Sequence, residues 1–180
     1  MTDGPPREWV AYEEASHAVV CIKLGVKIKL ATIKPGRGSW GCVEKRKILR
    51  KGDLEYNFSA AATARAETAI LVHLVGQYGP KRIAPDTYRP SQNTPDYDLV
   101  KEVVYHRMFP KLHPGDLVAF NYLNYMELRA ERLVWQYWKE IEAVAMALLE
   151  HETLTGEQII AVICEVNGLP APSALMAKGE

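Results

Sequence analysis

Three side chains within five residues carry the chemistry available to this chain: Glu13, Glu14 and His17, inside Tyr12-Glu13-Glu14-Ala15-Ser16-His17. At about 100° per residue a helix puts positions 13 and 17 on one face, where the two histidines of the HExxH motif would grip a metal ion. Here Glu13 stands in the place of the first histidine and His17 in that of the second. Glu14 holds the position of the glutamate that is not a ligand but takes a proton from the attacking water and passes it to the leaving amine. A carboxylate at position 13 can still bind zinc, although it adds negative charge and leaves the activated water less acidic than two neutral imidazoles would. A solvated helix face would give the same letters, with a Glu-to-His pair contributing only a few tenths of a kcal/mol.

The elements that must position these groups can be read from the pattern around them. Pro5-Pro6 opens a helix that carries the motif to about Leu24 and stops at Gly25. Two β-prone pieces follow, Val26 to Ile33 and Trp40 to Val43, separated by the turn Pro35-Gly36-Arg37-Gly38. Ser59 caps an alanine-rich helix expected to end at about Tyr78, before Gly79-Pro80, and residues 81 to 93 read as a loop. Thr94-Pro95-Asp96 is a capped start leading to about Met108. His113-Pro114-Gly115-Asp116 breaks the chain, and a long helical pattern, with room for a kink, covers Leu117 to His151. Thr155-Gly156-Glu157 opens a last helix ending near Asn167-Gly168. The fold class expected is mainly α (α+β): a single domain over residues 1–169 with a small β-hairpin or sheet, and a loose tail over 170–180.

Composition excludes several classes. Of 180 residues, 48% are hydrophobic and 24% charged, and 22 basic residues balance 22 acidic ones, so no net field draws nucleic acid or anionic lipid. Cys21, Cys42 and Cys164 are odd in number and never form CxxC, which argues against a disulfide framework and a thiolate zinc site. No signal-peptide layout and no apolar run near twenty residues stands in the sequence, so a cytoplasmic protein without a membrane segment is expected.

The ordered set of motifs resembles the peptidase domain of the FtsH-type ATP-dependent zinc proteases from about Val10 to Val166. Val10-Ala11-Tyr12-Glu13-Glu14-Ala15-Ser16-His17-Ala18 is similar to that family's VAYHEAGHA, with Ser16 for a glycine as well as Glu13 for a histidine. Ile33-Lys34-Pro35 and Gly38-Ser39-Trp40-Gly41 look like its strand pair, and Glu152-Thr153-Leu154 like its carboxy-terminal KETL. The resemblance implies a third ligand at Asp98, in Tyr97-Asp98-Leu99-Val100, with Asp96 as the competing register. It also implies that the strand Trp40, Gly41, Cys42 and Val43 takes an extended peptide by β-addition. A Glu13, His17 and Asp98 set has one nitrogen and two carboxylates, which suits zinc less exclusively and admits manganese or iron. Without metal, the carboxylates Glu13, Glu14, Asp98 and Glu102 would have one or more pKa values raised. There is no phosphate loop or other ATPase segment, so unfolding would come from a separate ATPase chain, and the family implies a six-membered ring of peptidase domains.

Two functions follow. The first ligand being lost favours a catalytically impaired or inactive pseudopeptidase that binds a protein or peptide partner and holds no metal; the alternative is an active endopeptidase with zinc or another divalent ion on Glu13, His17 and Asp98 and with Glu14 as general base. Other constellations are weaker. Glu14 and His17 also spell ExxH, but none of His73, His106, His113 and His151 has a glutamate three residues before it, so a di-iron bundle lacks its second unit. His106 reads as solvated, His73 as a satisfied core histidine, and Tyr122, Tyr125, Trp135, Tyr137 and Trp138 as packing residues against core or a partner subunit.

Overall fold

The structure, a computed structural model, describes residues 4–36, 38–55, 59–89, 94–109 and 116–170. At its centre lies α1 (Arg7–Lys23), buried on almost every side through Val10, Ala11, Tyr12, Ala15, Ala18, Val19, Val20 and Cys21. Small residues on several faces let neighbours approach from all sides, so α1 is an interior helix rather than an amphipathic one. It packs against α6, α3 and the sheet, and Tyr12 stacks on Trp138 at 5.4 Å between ring centroids. Ser16 Oγ donates 2.7 Å to the Tyr12 carbonyl, so its buried hydroxyl is satisfied within the helix.

The sheet is antiparallel with strand order β2-β1-β3. β1 (Ile28–Thr32) pairs with β2 (Cys42–Lys45), with Thr32 opposite Cys42 and Ala31 opposite Val43. The second strand therefore begins two residues later than Trp40: Gly36 and Ser39 bridge across the turn, and the chain needs Trp40 and Gly41 to return to β1. A third strand, β3 (Thr153–Thr155), has no counterpart in the sequence reading. Three residues give no periodicity to detect, and the strand exists because the left-handed Glu152 (φ 60) ends α6 and turns the chain back along β1.

α2 (Ala60–Leu74) is capped by Ser59, whose Oγ accepts from Ala62 N. It does not end the helical path: a 3₁₀ turn (Val75–Gln77) leads into α3 (Tyr78–Ile83), which contains Gly79 and Pro80. Proline is accommodated there because a helix's first turn has no partner for its N–H. The loop expected from residue 81 thus begins after Ile83, and the part of it at 90–93 lies outside the described residues. α4 (Pro95–Glu102) starts at Thr94, whose Oγ1 accepts from Tyr97 N at 3.2 Å, and continues as a π-helical stretch (Val103–Met108). The long helical pattern divides at Tyr137 (φ −107, ψ 22) into α5 (Leu117–Gln136) and α6 (Trp138–His151). Thr155 and Gln158 form the capping box of α7 (Gly156–Val166). The break at 113–115 and the tail beyond 170 also lie outside the described residues.

Of the aromatic residues in this region, Trp138 and Tyr122 pack on the core, whereas Trp135 and Tyr125 are exposed. Arg82 lies over both Trp135 and Trp138, 3.8 and 4.3 Å from the ring centroids. No described helix is long and apolar enough to cross a membrane, and the three cysteines are free.

The segment after β2 is held to α2 by a buried carboxylate. Asp53 accepts from Arg65 Nε and Nη2, both at 2.8 Å, and from the Arg50 backbone N–H at 2.7 Å. The Arg65 guanidinium, with the Arg50 N–H, holds the Asp53 pKa down to about 2 despite burial. A carboxyl whose pKa is depressed on folding stabilises the fold above its unfolded pKa, and that contribution is lost as pH falls through its folded pKa. Acid titration of thermal stability should therefore show a loss between about pH 4 and pH 2, and Asp53→Asn should both lower Tm at pH 7 and flatten that limb; an unchanged acid limb would contradict this.

Candidate metal centre

The middle of α1 delivers three groups to one cleft beside the sheet. Glu14 and His17 are buried and Glu13 is half-buried, all facing a cleft of ≈ 400 Å³ that is also lined by Trp40 to Val43 and by Asp96. One ligand atom each from Glu13, His17 and Asp96 fall within 4.8 Å of one another.

The aspartate is Asp96, not Asp98. Asp96 Oδ2 lies 3.4 Å from His17 Nε2, whereas the Asp98 side chain is 67% exposed and pairs with Lys101 at 2.7 Å. Helical phase explains the choice. Taking Asp96 as zero, Val100 falls at about 40° and Tyr97 at about 100°, both buried, while Asp98 falls at about 200° and Glu102 at about 240°. Asp96 thus sits inside the apolar arc that packs on α2, and Asp98 and Glu102 point the other way. His106 is likewise exposed and away from the site.

His73 belongs to the site, which the sequence reading did not anticipate. Its Nδ1 is 2.5 Å from Asp96 Oδ1, so the core histidine finds its satisfaction in the aspartate beside His17. No local spacing links residues 73 and 96; only the packing of α2 on α4 does.

His17 is held at both ends. Its Nδ1 lies 2.7 Å from the Val72 carbonyl and must donate to it, since a carbonyl only accepts. That bond aims Nε2 at Glu13 and Asp96. Two glycines close the arrangement: a Cβ on Gly41 would come 2.6 Å from Glu14 Oε1, and one on Gly76 would reach 2.7 Å from His17 Cε1 and nearer still to Nε2.

The protonation states follow from this packing. Burial raises the Glu14 carboxyl to about 7, with His17 opposing and Glu13 and Asp96 adding to the rise. Burial likewise raises Glu13, against the pull of His17. For His17, burial alone would lower the pKa, but the hydrogen bond and charge of Asp96 and the charges of Glu14 and Glu13 push it up to about 9. Asp96, buried yet bonded to both histidines, is held well below the usual carboxylate range, and burial pushes His73 down. The expected rise thus falls on Glu13 and Glu14.

These residues fit a divalent cation. Ligand atoms about 2.0–2.1 Å from a tetrahedral ion stand roughly 3.3 Å apart, close to the 3.4 Å between His17 Nε2 and Asp96 Oδ2. The outer contacts match as well, because a ligating imidazole donates its other N–H to a carbonyl and a ligating carboxylate accepts from a second group, here Val72 and His73. β2 is an edge strand, so backbone groups beside the site are open to pairing with an extended chain. Of the four residues expected to form that strand, Cys42 and Val43 lie in it and Trp40 and Gly41 precede it, yet all four line the cleft. No family model matches this chain, and no curated protein matches it.

Proposed function

We propose that this chain is a divalent-metal-dependent endopeptidase related to the FtsH-type peptidase domains, with Glu13, His17 and Asp96 as ligands and Glu14 as general base. The observation that carries this reading is the outer support of the ligands: the Val72 carbonyl on His17 Nδ1 and His73 on Asp96. A helix that had merely lost its function has no reason to keep a buried imidazole and carboxylate poised toward each other and fixed from behind.

When bound, the metal supplies Lewis-acid polarisation of the substrate carbonyl and of the attacking water. Glu14 accepts the water's proton and delivers it to the leaving amine, the two tasks of a general base. The free edge of β2 holds the peptide extended across the cleft, and Gly41 leaves room for Glu14 beside it. With one nitrogen and two carboxylates the site favours manganese or iron alongside zinc.

The test is metal analysis of protein purified without chelator, followed by cleavage of unstructured casein with zinc, manganese and iron(II) supplied in turn. One ion per chain and cleavage that falls by about 10²-fold or more in Glu14→Gln, with metal retained, are expected. Absence of metal binding under all three conditions overturns the reading in favour of the pseudopeptidase, which the glutamate at position 13 favours.

A further inference from the structure

A second groove, of ≈ 530 Å³, continues from the metal cleft along β2. The two share Val43 and Lys45, and His73, whose ring meets Asp96 on the metal side, lines the second groove. Its apolar lining is Val43, Ile48, Leu49, Ala69 and Leu99, and its charged lining is Lys45, Arg46 and Lys47 with Glu44 as the one acidic residue.

The charge there is out of proportion to the chain. Residues 26–51 hold nine of the 22 basic residues, Lys27, Lys29, Lys34, Arg37, Lys45, Arg46, Lys47, Arg50 and Lys51, and one of the 22 acidic ones, Glu44. Glu44 is taken by Lys29 at 2.9 Å. Among the described residues no carboxylate pairs with Lys45, Arg46 or Lys47, and Arg46 and Lys47 are exposed. Lys45 lines the metal cleft as well as this groove, so the positive rim begins beside the candidate site itself.

We propose that this groove selects acidic peptides: a substrate strand paired with the β2 edge places an apolar side chain on the groove floor and aspartate or glutamate against Lys45, Arg46 and Lys47. This rests on the peptidase reading and adds its substrate class. Lys45 stands two residues along β2 from Val43, and Arg46 and Lys47 follow directly after its end, so the acidic positions lie about two to four residues to one side of the bond attacked. A nucleic acid suits the groove less well, since among the described residues no phenylalanine, tyrosine or tryptophan lines it for a base to stack on.

The experiment measures binding apart from cleavage. Fluorescence anisotropy with Glu14→Gln protein compares three labelled peptides of one apolar framework, carrying three glutamates, three glutamines or three lysines, and a single-stranded DNA 20-mer, at low and high salt. The glutamate peptide is expected to bind at least about tenfold tighter than the glutamine peptide at low salt, with the difference shrinking at high salt. Lys45→Gln/Arg46→Gln/Lys47→Gln should remove that preference while leaving the circular dichroism spectrum and Tm unchanged; should the triple variant fail to fold, Arg46→Gln and Lys47→Gln, both at exposed positions, are read singly. Equal binding of the glutamate and glutamine peptides, or tighter binding of the DNA, overturns the proposal. An acidic preference in a protein that binds no metal would leave the groove standing and remove the peptidase reading, whereas cleavage without that preference would do the reverse.

Discussion

Asp96→Asn is expected to lower the affinity for a divalent ion by more than the about 10–100-fold that follows from losing an outer contact, while Asp98→Asn leaves it unchanged. Asparagine keeps the size of the side chain and can still accept a hydrogen bond from His73, but it removes the negative charge that faces His17 Nε2 at 3.4 Å. The remaining set, Glu13 and His17, comes from one helix and offers two ligands, too few for a catalytic site. Asp98 has no such role, because its carboxylate is exposed and engaged with Lys101. Calorimetric titration with zinc and manganese reads both variants directly, and loss of affinity in Asp98→Asn with retention in Asp96→Asn would reverse the assignment. The metal-free protein adds a second readout: with Asp96 neutralised, the histidine ring held protonated by it should titrate at lower pH, followed by NMR of the His17 Cε1 proton.

That comparison also shows what could be read before folding and what could not. The caps at Ser59 and Thr94 and the Thr155 start are local signals, set by side chains that satisfy backbone N–H groups within one turn, and the motif helix opens after Pro5-Pro6 without one; all are present as expected. Which aspartate faces His17 was also legible, but in a different feature from the Asp-Leu dipeptide used to assign it. The apolar arc formed by Tyr97, Val100, Val103 and Val104 turns Asp96 inward, so phase along the helix was the better guide than a two-letter resemblance. His73 and β3 were not legible. Each is defined by a partner distant in sequence, Asp96 for the histidine and β1 for the strand, and neither leaves a periodic trace of its own. Gly79-Pro80 misled because the pair is a strong stop signal in isolation, and a 3₁₀ turn just before it changed its position from the end of a helix to the start of one.

Gly76→Ala should disable the site and destabilise the fold together, although the position looks permissive. Gly76 lies in the 3₁₀ turn without a positive φ, and at such a backbone alanine ordinarily stabilises by about 0.4–1 kcal/mol through the unfolded chain. Here the added methyl would meet the His17 imidazole, with Cε1 at 2.7 Å and Nε2 nearer. The ring cannot yield cheaply, because its Nδ1 is fixed to the Val72 carbonyl at 2.7 Å and its other edge faces Asp96. Overpacking of this kind costs about 1–3 kcal/mol, which outweighs the entropic gain. At about 2–4 °C per kcal/mol for a chain of this size, Tm should fall by several degrees. Metal binding should fall further than stability does, since the clash lands on the nitrogen that must face the ion. Gly36→Ala is the control: it also lacks a positive φ, and its Cβ would find only Ser39 Oγ at 3.7 Å. Thermal unfolding and metal stoichiometry of the two variants separate the effects, and a Gly76→Ala protein that binds metal normally would mean that His17 does not present Nε2 to the ion.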